Sequence, residues 1–203
     1  MPNEPFTPNE NEIVERVLTG DANAFEYLVT CYKSHVLKIV NRHVHQNDVA
    51  ETAQDVFVRA YLSLPTYKGK SDFKGWVSSI AVRTCQDYWR KAYRSREVPM
   101  SSLNEKHQDW LEQVLTAESE EDLDKKGAQK EARELLDWVL AKLSAEDRMI
   151  VELVYLEGLS GKEAAELLGW SIANVKVRSL RARRKIKKLL RKIVEEPVRG
   201  YGL

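Results

Sequence analysis

The stretch Leu159–Leu190 reads LSGKEAAELLGWSIANVKVRSLRARRKIKKLL, and the fold follows from how it divides. Ser160 with Glu163 is a capping-box pair: the serine accepts from a free amide of the first turn, and the glutamate reaches back to the cap. That pair starts a short helix through Ala164, Ala165, Leu167 and Leu168. Gly169 ends it, because a left-handed turn is open to glycine and resisted by a side chain. Ser171 then caps a longer helix with an apolar stripe of Ile172, Val175, Leu180, Ile186, Leu189, Leu190 and Ile193. A short capped helix, a tight turn at Gly169 and Trp170, and a longer second helix have helix-turn-helix spacing.

The second helix carries charge of one sign. Between Ser171 and Lys192 stand ten Lys and Arg and no Asp or Glu, so the helix repels itself unless an anion faces it. Asn174, Lys176, Arg178 and Arg181 lie in its first turns, where side chains reach base edges. Arg183, Arg184, Lys185, Lys187 and Lys188 suit phosphates. Arginine can pair bidentately with guanine and asparagine with adenine. A solvated cationic face, or a basic amphipathic helix on a membrane or a calmodulin-like partner, is the blander reading. The capped helix and glycine turn in front of it favour duplex DNA.

Outward from this stretch, the chain of 203 residues is 43% hydrophobic and 31% charged, a soluble globular balance of one to two domains. No apolar run approaches the roughly 20 residues of a membrane span, so no membrane insertion is expected. The polar start MPNEPFTPNENE has no apolar segment of a secretory signal. Cys31 and Cys85 stand far apart, which fits a reducing cytosol better than a disulfide framework or a Cys-rich zinc site. Gly and Pro total only 15, and long stretches avoid both, so the class is all-α.

The net charge of +1 hides a block structure. Residues 1–95 carry +1, residues 96–127 carry −5 and residues 128–203 carry +5. The expected organisation is a frayed N-terminus (1–11), a helical domain (12–95), a flexible acidic linker (96–127), a second helical domain (128–194) and a tail (195–203). In the first domain, Ile13, Val14, Val17 and Leu18 predict a helix from Glu12 stopped by Gly20. Asp21 is the expected N-cap of the next, with Phe25, Leu28, Val36 and Val40 on its apolar face. A third runs from Asp48 to Pro65. The basic loop Thr66–Asp72 (TYKGKSD) precedes a fourth that opens at Phe73. The linker has one expected transient helix near 107–117. In the second domain, helical periodicity resumes at Gln129, and Ser144 starts a further helix that Gly158 ends.

The fourth helix, FKGWVSSIAVRTCQDYWRKAYR, interleaves Phe73, Trp76, Tyr88, Trp89 and Tyr93 with Arg83, Arg90, Lys91 and Arg94. Aromatic faces beside cations are what single-stranded nucleic acid needs, since bases stack and phosphates are neutralised. Trp76 and Trp89 at helical spacing read first as core. Tyr88, Arg90 and Arg94 are the better surface candidates.

The order of these pieces resembles the extracytoplasmic-function (ECF, group IV) sigma factors of bacterial RNA polymerase, of the sigma-E-like kind. DVAETAQDVFVRAYLSLPTYKGKSDFKGWVSSIAVRTCQDYWR is similar to their region 2. LAKLSAEDRMIVELVYLEGLSGKEAAELLGWSIANVKVRSLRARRKIKKLL is similar to their region 4. The resemblance covers about residues 12–95 and 129–192. It implies that the helix with Asp48, Glu51, Gln54, Asp55 and Arg59 docks on the clamp helices of the polymerase β′ subunit, with the β flap as a second contact. It implies −10 opening by Tyr67, Lys68, Lys70, Arg83, Gln86, Asp87, Tyr88, Arg90 and Arg94. It implies −35 reading by Lys176, Val177, Arg178, Leu180 and Arg181, beside Asn174, Arg183 and Arg184, which the helix itself offers as DNA-binding residues. The sequence departs from the family at Arg83, where Asn is common, and a cation there favours phosphate or guanine. It departs also at Val177, where small polar residues are frequent. An apolar side chain can meet a thymine methyl. Promoter DNA, core polymerase and an anti-sigma factor are the implied partners, in the bacterial cytoplasm.

Enzymatic readings do poorly. There is no GxxxxGK[ST] and no GxGxxG after a strand. His35, His43 and His45 lie close in sequence, but His43 and His45 diverge on a helix and no Cys or carboxylate cluster completes a metal site. No cofactor, metal or catalytic residue is expected. The competing readings are a helix-turn-helix regulator acting without replacing sigma, which predicts palindromic duplex binding alone, and an adaptor with a basic membrane-binding tail.

Overall fold

The computed structural model describes residues 9–69, 72–95 and 125–195. Every regular element among them is helical: α1 (Glu10–Leu18), α2 (Phe25–His43), α3 (Val49–Ser63), α4 (Phe73–Ser95), α5 (Lys125–Ala141), α6 (Ala145–Ile150), α7 (Gly161–Leu168) and α8 (Ile172–Glu195). Single 3-10 turns precede α2 and α3 and follow α3, and a π-helical turn at Val151–Leu156 follows α6. By packing, the described residues form two compact units. One comprises those within 1–89 and 160–171, the other those within 90–159 and 172–203.

In the first unit, α1 begins two residues before the expected Glu12, because the Asn9 side chain accepts from the Asn11 amide. Ile13, Val14 and Val17 turn inward, while Leu18 stays exposed. Asp21 does not start α2 directly. Its carboxylate takes the Arg16 guanidinium at 2.6 Å, and the turn Ala22–Ala24 intervenes. That hydrogen bond holds the Asp21 carboxyl below its usual value. α2 packs on α1 and α3, and Leu28, Val36, Val40, Val56 and Ala60 are fully buried. Burying such a side chain contributes about 1.5–3 kcal/mol.

α4 is the longest helix of this half. Between Ile80 and Gln86 every residue is buried except Arg83, and a helix enclosed nearly all round is an interior one. Trp89 anchors it: the ring is buried and its indole N–H donates to the His43 carbonyl at 2.6 Å. At the near end His35 Nε2 and Ser78 Oγ lie 2.7 Å apart. Burial, then Lys74 and Lys38, lowers the proton affinity of that imidazole.

In the second unit Leu135 and Val139 of α5 form one apolar cluster with Trp138, Ile186 and Leu190. Leu140 and Leu143 form another with Val151 and Ala182 of α8. Ser144 caps α6 by accepting from the Asp147 amide, as its sequence pattern predicts. Two buried charge pairs complete this interior. Arg148 meets Glu152 at 2.7 Å, one turn apart, and Arg178 meets Asp147 at 3.1 Å. The Tyr93 hydroxyl donates to the Leu140 carbonyl at 3.2 Å, and burial raises its proton affinity.

Candidate nucleic-acid interface

The turn before α8 is built as its residues dictate. The Ser160 hydroxyl accepts from the Glu163 amide at 3.2 Å, and the Glu163 carboxylate accepts from the Ser160 amide at 2.8 Å. The contact with Ser160, through its hydroxyl and its amide, holds the Glu163 carboxyl below its usual value. Gly169 follows at φ 69°, where a side chain costs about 1–2 kcal/mol. The Trp170 amide then donates to the Ala165 carbonyl at 2.9 Å, closing the turn.

α8 buries Val175 and Ala182 on one side. On the other it exposes Lys176, Arg181, Arg183, Arg184, Lys185, Lys187 and Lys188. Of the expected −35 readers, Lys176, Arg181, Arg183 and Arg184 point to solvent, Val177 is 58% exposed and Leu180 42% exposed. Asn174 is half-buried. Arg178 differs from its neighbours: it is half-buried, and its guanidinium meets the buried Asp147 carboxylate at 3.1 Å.

A second surface lies at the start of α4. Tyr67 packs edge-on against Phe73 (ring centres 5.6 Å) and tilted against Trp76 (5.3 Å), and Tyr32 adds a third ring to Phe73 at 5.1 Å. Phe73 is core, whereas Tyr67 and Trp76 are half-buried and keep part of each ring open. Burial, then the carboxylates of Glu10 and Asp72, raises the Tyr67 phenol. Lys68 is exposed beside them, and Lys70 lies outside the described residues. Sequence periodicity assigned Trp76 to the core. The signal for its exposure was the adjacent basic loop, which holds Tyr67 against it.

The remaining −10 candidates divide. Arg83 and Arg94 are exposed, each bonding a backbone carbonyl one turn back (Ser79 at 2.9 Å, Arg90 at 3.2 Å). Arg90 donates to Glu146 at 2.8 Å. Burial raises the Glu146 carboxyl, but the Arg90 hydrogen bond and charge, aided by Arg178, hold it below the usual value. Gln86 lies inside, at 3% exposure, and its Nε2 lacks a hydrogen-bond partner among the described residues. The resemblance that named it carries no information on burial, and α4 is enclosed on that side too.

The polymerase-facing set was expected on α3. Glu51, Gln54 and Asp55 are exposed there, as a polar stripe one turn apart. The stripe continues into Val58 (50% exposed) and Leu62 (71% exposed), which apolar periodicity alone does not mark as surface. Asp48 and Arg59 do not stand apart from the α4 candidates. Tyr88 donates to Asp48 at 2.7 Å, and Arg59 meets Asp87 at 2.6 Å. These four side chains tie α3 and the turn before it to α4.

Among the described residues no group of three or more His, Cys, Asp and Glu could hold a metal ion. No helix among them is long and apolar enough to cross a membrane. Neither cysteine is in a disulfide; Cys31 is exposed and Cys85 buried.

Among the described residues, a capped helix-turn-helix with a cationic second helix and an aromatic platform beside a basic loop are surfaces suited to nucleic acid. Residues 28–95 match the family model for sigma-70 region 2, and residues 133–186 match that for sigma-70 region 4. The ECF RNA polymerase sigma-E factor of Escherichia coli K12 is 30% identical over 174 residues, covering 86% of this chain and 90% of that one. The sigma-E factor of Haemophilus influenzae is 30% identical over 182 residues, covering 87% and 93%. The chain belongs to the ECF RNA polymerase sigma factors. Among solved structures, the sigma factor RpoE of Bartonella quintana, in complex with the anti-sigma factor NepR, is similar at 20% identity over 82% of this chain and 96% of that chain, with a TM-score of 0.46.

Proposed function

We propose that this chain directs core RNA polymerase to a set of promoters, with residues 128–194 reading the −35 duplex and residues 12–95 opening the −10 element. The observation that carries this is the outward face of α8, where seven exposed cations from Lys176 to Lys188 have no acidic residue among them in that stretch of helix. Such a face is stable against a polyanion and self-repelling without one.

In this reading Arg181 pairs with a base edge, with Asn174 and Lys176 beside it. Arg183 and Arg184 hold phosphates. At −10, Tyr67 and Trp76 offer ring faces to an extruded base, and Lys68, Arg83 and Arg94 neutralise the strand around it. Each stacked base contributes about 1–3 kcal/mol, which offsets the few kcal/mol that unstacking costs. Tyr88, Asp87 and Arg90 support that surface through their pairs. On α3, Glu51, Gln54 and Asp55 meet basic groups of the β′ clamp helices, and Val58 and Leu62 meet their apolar flank. The protein acts in the bacterial cytoplasm as a specificity subunit, not as an enzyme. An anti-sigma factor covers the exposed apolar and cationic faces when transcription is off.

The test is run-off transcription with purified core polymerase, this protein and a pooled library of promoter fragments. Specific transcripts that need both components are expected, and their start sites give the −10 and −35 sequences. Silence with active core, together with tight palindromic duplex binding by the protein alone, would overturn the proposal in favour of a regulator that does not replace sigma.

A further inference from the structure

The outward face of α8 is not uniformly cationic. At 3.6 residues per turn, Ala173, Val177, Leu180 and Arg184 fall within about 60° of one another. They lie directly opposite the buried Val175 and Ala182, so they form the midline of the exposed face. Its N-terminal half is therefore apolar, with Val177 58% and Leu180 42% exposed. Lys176 lies to one side of that midline and Arg181 to the other, both exposed.

This distribution fits one ligand. When a helix lies in the major groove, its midline meets the groove floor and its flanks meet the phosphate walls. Long cationic side chains on both flanks suit two walls of the same charge. Short apolar side chains on the midline let the backbone come close to the floor, and they offer it no hydrogen bond. The one apolar group on that floor is the C5-methyl of thymine. A cytosine in the same place lacks the methyl and presents an amino donor instead. Resting on the promoter-reading assignment above, we infer that Val177 and Leu180 select thymine at two base pairs of the −35 element by contact with its methyl groups. Residues three apart on a helix have Cβ atoms about 5–6 Å apart. That lies between one and two base steps of about 3.4 Å, so the two thymines stand on neighbouring or next-but-one pairs, on either strand.

The experiment uses holoenzyme assembled from core polymerase and the full chain, on a promoter recovered by the run-off screen. Deoxyuridine, which lacks only the methyl, replaces thymidine at one −35 position at a time. Removal of a contacted methyl is expected to weaken wild-type binding about three- to fourfold, the worth of one buried methyl-sized group. Val177→Ala is expected to lose about as much on the unmodified duplex, and then to be indifferent to deoxyuridine at one of the sensitive positions. Leu180→Ala should behave likewise at the other. Arg181→Ala should weaken binding while keeping both sensitivities. A promoter bound and transcribed specifically but insensitive to deoxyuridine throughout −35 overturns the inference and leaves the promoter reading standing. So does a Val177→Ala variant that keeps the full deoxyuridine penalty, or one unaltered on DNA and weakened only towards a protein partner. Absence of any promoter from the screen overturns both.

Discussion

The buried pair Arg148–Glu152 shows what a single side chain decides in this protein. Its two groups lie 2.7 Å apart, at side-chain exposures of 10% and 4%, so neither has water to fall back on. Breaking it from one side, by Arg148→Met or Glu152→Leu, is expected to cost about 3–5 kcal/mol, while replacing both partners together is expected to recover most of that. Urea unfolding of the two single variants and the double variant checks it. Glu163 gives a pH dependence with a definite sign. Its carboxyl titrates lower in the folded protein than the usual 4.5. The stability it contributes is therefore full above 4.5 and is lost as the pH falls from there through the folded value. Thermal melts between pH 7 and pH 3 should show a smaller acid-induced drop for Glu163→Gln than for wild type. Ser160→Ala, which removes the other half of the cap, should lower stability by about 1 kcal/mol at neutral pH.

At the scale of the element, α7 and its turn were readable because every determinant is local: Ser160, Glu163 and Gly169 act within four residues of their partners. Gly169→Ala is expected to cost about 1–2 kcal/mol of stability and to weaken duplex binding further by disturbing the entry into α8. Chemical denaturation and a binding titration measure the two losses separately. α4 was readable as a helix but not as an interior one. Amphipathic periodicity finds the face turned to the nearest neighbours. It has no means of registering a second cover, and the family resemblance that put Gln86 among the −10 residues carries no information on burial, so its 3% exposure was not legible. The pairs Arg59–Asp87 and Tyr88–Asp48 span 28 and 40 residues of chain, beyond any spacing rule. Arg178–Asp147 spans 31, and a family pattern of cations on α8 does not distinguish an arginine that turns inward from its neighbours. On α3 the exposed Val58 and Leu62 predict a different outcome from core substitutions. Val58→Glu and Leu62→Glu should leave stability within about 0.5 kcal/mol of wild type. They should also lower affinity for core polymerase, as read by competition with a labelled sigma factor.

For the whole molecule, the near-neutral net charge is a poor guide to behaviour, because +5 sits in residues 128–203 and −5 in residues 96–127. Promoter binding should follow the local charge. If α8 and the α4 loop together neutralise about six phosphates, affinity falls about 10³-fold between 50 and 200 mM salt. A filter-binding series on the holoenzyme measures that slope, and Lys187→Ala should reduce it by about one. The enclosed middle of α4 bears on how such a protein can change over generations. From Ile80 to Gln86, Arg83 alone faces outward. Six of those seven letters are held in place by folding, and a change in any of them reaches the cell first as misfolded protein. The seventh is free of that constraint and, in the proposed reading, borders the opened strand. A lineage that duplicates this gene therefore has a route, one codon long, to a stronger or weaker grip on the opened strand that leaves the shared scaffold untouched.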